Sequence, residues 1–284
     1  MAVNTVADTL SESGASFSRD DDPQLVREAV PFALKTYESL LESVPNHAGL
    51  LLATCSGFTQ YAYAFVQTDA DLLESTDYEA ALAMKERARK LYLRGRGYCL
   101  RLLERRRAGV VDKLQVDPAN ALAWASKADV PLLYWTGASW GSAIAIGLDR
   151  PELVADVPAV KALSERALAL QEDFNKGALH QIMISLEALP EAMGGSTARA
   201  RKHFDRAVEL SNGQDPSPFV TLAASVSQPA QNRAEFVKLL EQAVAIDPDK
   251  APEARLPTLI AQKRARHLLA RVDDLFVPLE ENRK

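Results

Sequence analysis

The sequence predicts an all-α protein of degenerate tetratricopeptide-like helical hairpins stacked as a solenoid, on three observations. A spacing recurs along the chain: a small residue, an aromatic or leucine four on, another small residue three on, and proline five later. Amphipathic helical stretches follow one another with short polar or Pro-containing breaks between them. No stretch of useful length alternates apolar and polar residues with the period of a strand.

The spacing has a physical cause. Positions i, i+4 and i+7 share one helical face, so small residues let a partner helix approach while the ring or leucine fills the space between. Proline then ends the helix, lacking an N–H and forcing the preceding residue out of the α region. Phe236, Leu240, Ala243 and Pro248 keep the spacing, with a bulky first position. Ala33, Tyr37, Leu40 and Pro45 keep it with leucine in the second small slot. Ala200, Phe204 and Ala207 repeat it with Pro216 displaced by an inserted NGQD, and Ala88, Tyr92 and Gly95 form a copy without the proline. Any single copy describes an ordinary amphipathic helix ending at proline; the recurrence is what favours a repeat.

The elements follow in order. Asp22 caps a first helix whose first residue is Pro23 and which runs to about Val44. After VPN a second helix spans about Ala48–Val66, and the polar QTDADLLESTD leads to a long helix from Tyr78 to about Arg107. Its charges, Glu86, Arg87, Arg89, Lys90, Arg94, Arg101 and Arg105–Arg107, read as a solvated face rather than a nucleic-acid stripe, given few flanking aromatics. Val116–Lys127 breaks the repeat. Helices are then expected over Pro131–Leu148, Pro158–Glu172, from DFNKGALH to Leu189, and over Ala198–Leu210. SPFVTLAASVS and NRAEFVKLLEQAVAI form the last pair, and an Arg-rich helix from Pro252 to Phe276 serves as the polar cap a solenoid needs. One helical domain, residues 22–277, thus lies between a small-polar tether, residues 1–21, and a short C-terminal tail, residues 278–284.

Composition narrows the partners. A net charge of −5 argues against nucleic acid. No apolar run approaches the roughly 20 residues of a membrane span. The N-terminus shows no basic start or apolar core of a secretory signal before Asp8. AVNTVADTLSESGAS reads equally as the tether that follows a bacterial lipoprotein's anchor cysteine and as a frayed cytoplasmic N-terminus. For the two cysteines, a hairpin turn at about Gln67–Asp77 sets Cys55 opposite the Arg89 region and puts Cys99 ~15 Å further along the helix. That exceeds disulfide range, so two buried free thiols are expected.

Chemistry-bearing patterns are few. No phosphate loop, GxSxG, HExxH or CxxC occurs, so no catalytic residue, metal ligand or cofactor is assigned. His180 and Glu187 share a helical face, but two ligands make no metal site; a hydrogen-bonded or pocket-lining His180 is the expected state. The concentration that stands out is aromatic: all three tryptophans, Trp124, Trp135 and Trp140, lie close to Tyr134. Trp135, Ser139, Ser142 and Ile146 share one face, Trp140 lies with Leu133 and Ile144, and Gly137 and Gly141 allow a neighbouring backbone close. Aromatic and hydroxyl side chains together suit a pocket lining. Plain helix packing is the competing account.

KADVPLLYWTGASWGSAIAIG, ELVADVPAVKALSERALALQEDFNKGALH, FVKLLEQAVAIDPD and RLPTLIAQKRARHLLARVDDLF together resemble the TatT family, over about Asp22–Phe276. These are T-components of periplasmic TRAP (tripartite ATP-independent) transporters. The resemblance implies a periplasmic, lipid-anchored, non-enzymatic, all-helical protein that forms homotrimers with a tunnel through each protomer. It also implies a partner, the substrate-binding P-component, and a small hydrophobic ligand. By analogy, Trp124, Tyr134, Trp135, Ser139, Trp140 and His180 are the candidate tunnel lining. The alternative is an adaptor that binds a peptide in an open groove.

Overall fold

In a computed structural model, which describes residue 7 and residues 14–277, the chain is 79% helix, with no strand among the described residues. Most of the expected tether and all of the expected C-terminal tail lie outside the described residues. The chain divides into two compact units, Met1–Phe174 and Asn175–Lys284.

In the first unit a short helix, α1 (Gly14–Ser18), precedes α2 (Pro23–Ser43). Asp22 caps α2 as expected, its carboxylate accepting from the backbone N–H groups of Gln24 and Leu25 at 3.0 Å each. Next, α3 (Ala48–Tyr61) passes through a π turn, Ala62–Gln67, into α4 (Thr68–Leu73). The second expected helix therefore runs seven residues beyond Val66, and Thr68 bonds the Tyr63 carbonyl with both its N–H and its hydroxyl. The long α5 (Tyr78–Arg106) returns antiparallel against α3. Two short helices, α6 (Val110–Val116) and α7 (Pro118–Ala121), occupy the predicted break, and α8 (Val130–Ala145), α9 (Pro151–Val154) and α10 (Val157–Leu170) complete the unit. Here α8 packs on α3, α5 and α10.

That longer arm overturns the expectation of free thiols. Cys55 of α3 and Cys99 of α5 form a disulfide, with Cα atoms 5.5 Å apart. Because the helix continues to Leu73, the hairpin turns at Glu74–Asp77, several residues later than the centre of the expected Gln67–Asp77 turn. The residue opposite Cys55 moves from the Arg89 region to Cys99. Gly95 makes the close approach possible: a Cβ there would lie 2.9 Å from the Cys55 carbonyl oxygen. Cys99, one turn beyond Gly95 on the same face, is thereby set against Cys55.

In the second unit α11 (Ala178–Glu187) and α12 (Thr197–Leu210) pair, followed by α13 (Ser217–Leu222) and a second π turn, Ala223–Ser227. Then come α14 (Arg233–Ala245), α15 (Arg255–Ala270) and α16 (Val272–Leu275). The expected terminal helix is therefore shorter, preceded by 3₁₀ turns at Pro248–Lys250 and Pro252–Ala254. The unit's core gathers Ile184, Ala200, Phe219, Leu222, Phe236, Leu240 and Ala243. The spaced small and bulky residues Ala88, Tyr92 and Gly95, and Phe236, Leu240 and Ala243, are all buried. That is the role their periodicity assigns them.

Candidate functional site: an aromatic helix set on buried polar anchors

The start of α8 is fixed by Asp129, which is 3% exposed. One carboxylate oxygen accepts from Arg106 Nε at 2.8 Å; the other accepts from the Ser126 N–H at 3.0 Å and the Ser126 hydroxyl at 2.8 Å. Burial works to raise the Asp129 pKa, and these bonds from Ser126 and Arg106 overcome it, holding it below its ordinary value. The C-terminal end of α5 and the N-terminal end of α8 are thus tied through one carboxylate.

Along α8, glycines set the distance to α10 as expected. A Cβ on Gly137 would lie 3.2 Å from Ser164 Oγ, and one on Gly141 3.3 Å from Val160 Cγ1. Ser139 is fully buried, and its hydroxyl donates to the Thr136 carbonyl at 3.0 Å. Trp140 is 1% exposed and donates its indole N–H to Asp156 at 2.9 Å. Its indole ring lies under the guanidinium of Arg96, 4.8 Å from centroid to Cζ. Leu133 and Ile144 are buried with it.

The other face of α8 is more open. Tyr134 and Trp135 are half-buried and meet edge to face at 4.8 Å; Tyr134 also meets Phe174 at 5.2 Å. The Trp135 carbonyl oxygen lies 3.8 Å from Cys55 Sγ, which carries no proton within the disulfide and so makes a plain contact. Trp124 is half-buried, and its indole N–H meets no acceptor among the described residues. The carbonyls on either side of it, of Ala123 and Ala125, accept from Arg166 at 3.3 and 2.5 Å. Five of the six candidate residues therefore belong to the first unit. Trp124, Tyr134 and Trp135 are half-buried, whereas Ser139 and Trp140 are fully enclosed.

His180, the sixth, lies in the second unit. It is 5% exposed, and its Nδ1 lies 2.8 Å from His203 Nδ1, so one ring donates and the other accepts. That is the hydrogen-bonded state expected for it. Glu187, on the same helix, accepts from Arg199 Nε at 2.7 Å. Among the described residues no three His, Cys, Asp or Glu side chains gather as metal ligands would.

Two polar partners escaped the sequence reading. Arg96 lies between Tyr92 and Cys99 at helical spacing, and both are buried, a signal that it too turns inward. Asp156 sits in the turn between α9 and α10 and carried no sequence signal. Of the charged stripe on α5, Arg87, Lys90, Arg94, Arg101 and Arg105–Arg107 are exposed, as a solvated face should be. Arg89 and Glu86 are the exceptions: both are partly buried and bonded to each other, with the Arg89 side chain 13% exposed.

The fold and this region define an all-helical protein whose distinctive side chains serve packing and polar anchoring. The family described as TRAP transporter T-component matches residues 19–276, and the chain belongs to that family. It is also 35% identical over 266 residues to a protein of Treponema pallidum (strain Nichols) described as uncharacterized, covering 92% of this chain and 82% of the relative. The protein is accordingly a component of a transport system. No helix among the described residues is long and apolar enough to cross a membrane.

Proposed function

We propose that this protein is a periplasmic, lipid-anchored and non-enzymatic T-component that docks on the substrate-binding P-component of its TRAP system. In this reading a small hydrophobic ligand occupies an internal passage, and the chain assembles as a homotrimer on a solenoid of tetratricopeptide-like hairpins. The family match across residues 19–276 is the observation that carries it. The half-buried Trp124, Tyr134 and Trp135 supply the lining within the first unit, with Ser139 and Trp140 as the wall behind them. The Cys55–Cys99 disulfide supports the compartment, since such bonds persist where the medium is oxidising.

Two experiments test the reading. The solute-binding protein encoded beside this one is titrated calorimetrically; binding at micromolar strength is expected, across an interface of about 1,200–2,000 Å². No binding at tens of micromolar transfers the case to the peptide-adaptor reading. Trp135→Ala, measured for ligand uptake and for melting, should lose uptake with little loss of stability. A large fall in melting temperature with unchanged uptake marks Trp135 as core and removes it from the lining.

A further inference from the structure

The disulfide that joins α3 to α5 is closed off from solvent. Cys55 and Cys99 are both 0% exposed. Gly95 brings the two arms together, since a Cβ there would lie 2.9 Å from the Cys55 carbonyl oxygen. Across both arms lies α8, and the Trp135 carbonyl oxygen stands 3.8 Å from Cys55 Sγ. The start of α8 is in turn held to the end of α5 by Asp129, through its bonds from Arg106 and Ser126.

Thiol–disulfide exchange needs room that this enclosure denies. An attacking sulfur must reach the sulfur it displaces, and the mixed disulfide that follows sets a third sulfur, with the molecule that carries it, at the site. The reacting form is the thiolate, which an apolar enclosure disfavours. In a folded dithiol chain the Cys55 S–H would face the Trp135 carbonyl, a weakly bonded acceptor already in place. A chain that folds before it is oxidised is therefore held as the dithiol. The order of elements allows the reverse sequence. Both cysteines lie on helices that end by Arg106, and α8 starts only at Val130. The hairpin can thus form while α8 is still undocked.

We propose that a disulfide-bearing thiol oxidant acts on the α3–α5 hairpin before α8 docks, and that α8 then seals the bond. One cysteine thiolate attacks the oxidant's disulfide, forming a mixed disulfide and releasing the oxidant's other sulfur as a thiolate. The second cysteine attacks this chain's sulfur in the mixed disulfide, closing Cys55–Cys99 and expelling the oxidant's remaining sulfur. Two electrons pass to the oxidant, which leaves as a dithiol carrying the two protons. Whatever the protein carries or docks on, an oxidation of this class must precede the final packing of the first unit.

The test takes the full chain, reduced in denaturant and diluted into refolding buffer, with oxidised glutathione added either at once or after folding is complete. Free thiols are counted by alkylation and mass spectrometry. Early oxidant should close the bond at least about 100-fold faster than late oxidant, because late oxidation waits on opening of native structure. Asp129→Asn, which loosens the start of α8, should speed late oxidation about tenfold. Leu240→Ala, in the core of the second unit, should leave it unchanged. Ser126→Ala, which removes only the hydroxyl bond to Asp129, replaces Asp129→Asn should that variant not fold. Should the reduced chain itself not fold, oxidation does precede docking, and the seal is tested on the oxidised protein with dithiothreitol. Reduction should then be accelerated by the α8 variant and not by Leu240→Ala. Late oxidation as fast as early oxidation overturns the proposal. So does dithiothreitol reducing the native bond as fast as the unfolded one. An α8 variant without effect, or equal acceleration by Leu240→Ala, shows that α8 is not the seal and overturns its role.

Discussion

The two units close similar hairpins by different means. In the first, the spacing Ala88–Tyr92–Gly95 ends in glycine, and the α5 backbone comes against the Cys55 carbonyl. The helices are then near enough for a covalent bond between Cys55 and Cys99. In the second, the spacing Phe236–Leu240–Ala243 begins with a ring and ends in alanine. There Phe236 packs edge to face on Phe276 at 5.0 Å. Buried Gln262 donates to the carbonyls of Ala243, Val244 and Ile246, closing the C-terminal end of α14. Both units carry a π turn in the first arm of the hairpin. The size of the residue in each small slot therefore decides whether backbones meet or side chains intervene. That choice decides whether cysteines placed there are cross-linked.

The comparison is broken most directly at the disulfide. Converting Cys55 and Cys99 together to serine frees a loop with a sequence separation of 44. It should cost about 4 kcal/mol by loop-closure entropy. Hydrogen exchange should show the loss confined to α3, α4 and α5, with α13 and α14 unchanged. An equal loss in both units would mean they unfold as one, and the contrast would not be independent.

A smaller effect is expected from the glycine itself. Gly95→Ala must displace backbone, since its Cβ would sit 2.9 Å from the Cys55 carbonyl oxygen. It should destabilise by about 1–3 kcal/mol despite alanine's better helix propensity. The mirror change, Ala243→Gly, opens no clash and should cost about 1 kcal/mol from helix propensity. Chemical denaturation of both variants checks the order. A stabilised Gly95→Ala would show that close approach is not what the glycine provides.

The smallest effect concerns acid. Burial works to raise the Glu38 pKa, and hydrogen bonds from Lys35, Arg94 and Tyr98 outweigh it, holding the carboxyl below its ordinary value of 4.5. A depressed carboxyl contributes stability above its unfolded pKa and loses it as the pH falls through the native value. In the second unit Glu235 is likewise held low, chiefly by its hydrogen bond from Arg201, with help from Ser227. Glu38→Gln should flatten the acid limb of stability in the first unit only, and Glu235→Gln in the second only. Each removes at most one proton's dependence, about 1.4 kcal/mol per pH unit. Denaturant titrations from pH 6 to pH 2 measure those slopes, and unchanged slopes would mean these carboxyls keep their ordinary values.

Much of the fold was legible because its signals are local. The Asp22 cap, the long α5, and the glycines that bring α8 against α10 all follow from periodicity, capping chemistry and side-chain size along one stretch of chain. The aromatic cluster was legible as composition, and its division was not. Trp140 is sealed beneath Arg96 and bonded to Asp156, a turn residue with no periodic signature, while Tyr134 and Trp135 stay half-buried. His180 found His203 across two helices, a pairing no spacing announces.

The sequence by itself determined that the chain is helical, where most helices begin, and which faces are buried, because propensity, caps and the 3.6-residue period act over a few residues. Only the tertiary structure decided that Cys55 and Cys99 meet. A π turn and a few further residues of helix move the hairpin's turn, and across an antiparallel pair each residue of shift displaces the facing residue by two. Contacts between elements inherit every such shift, and local signals do not sum them.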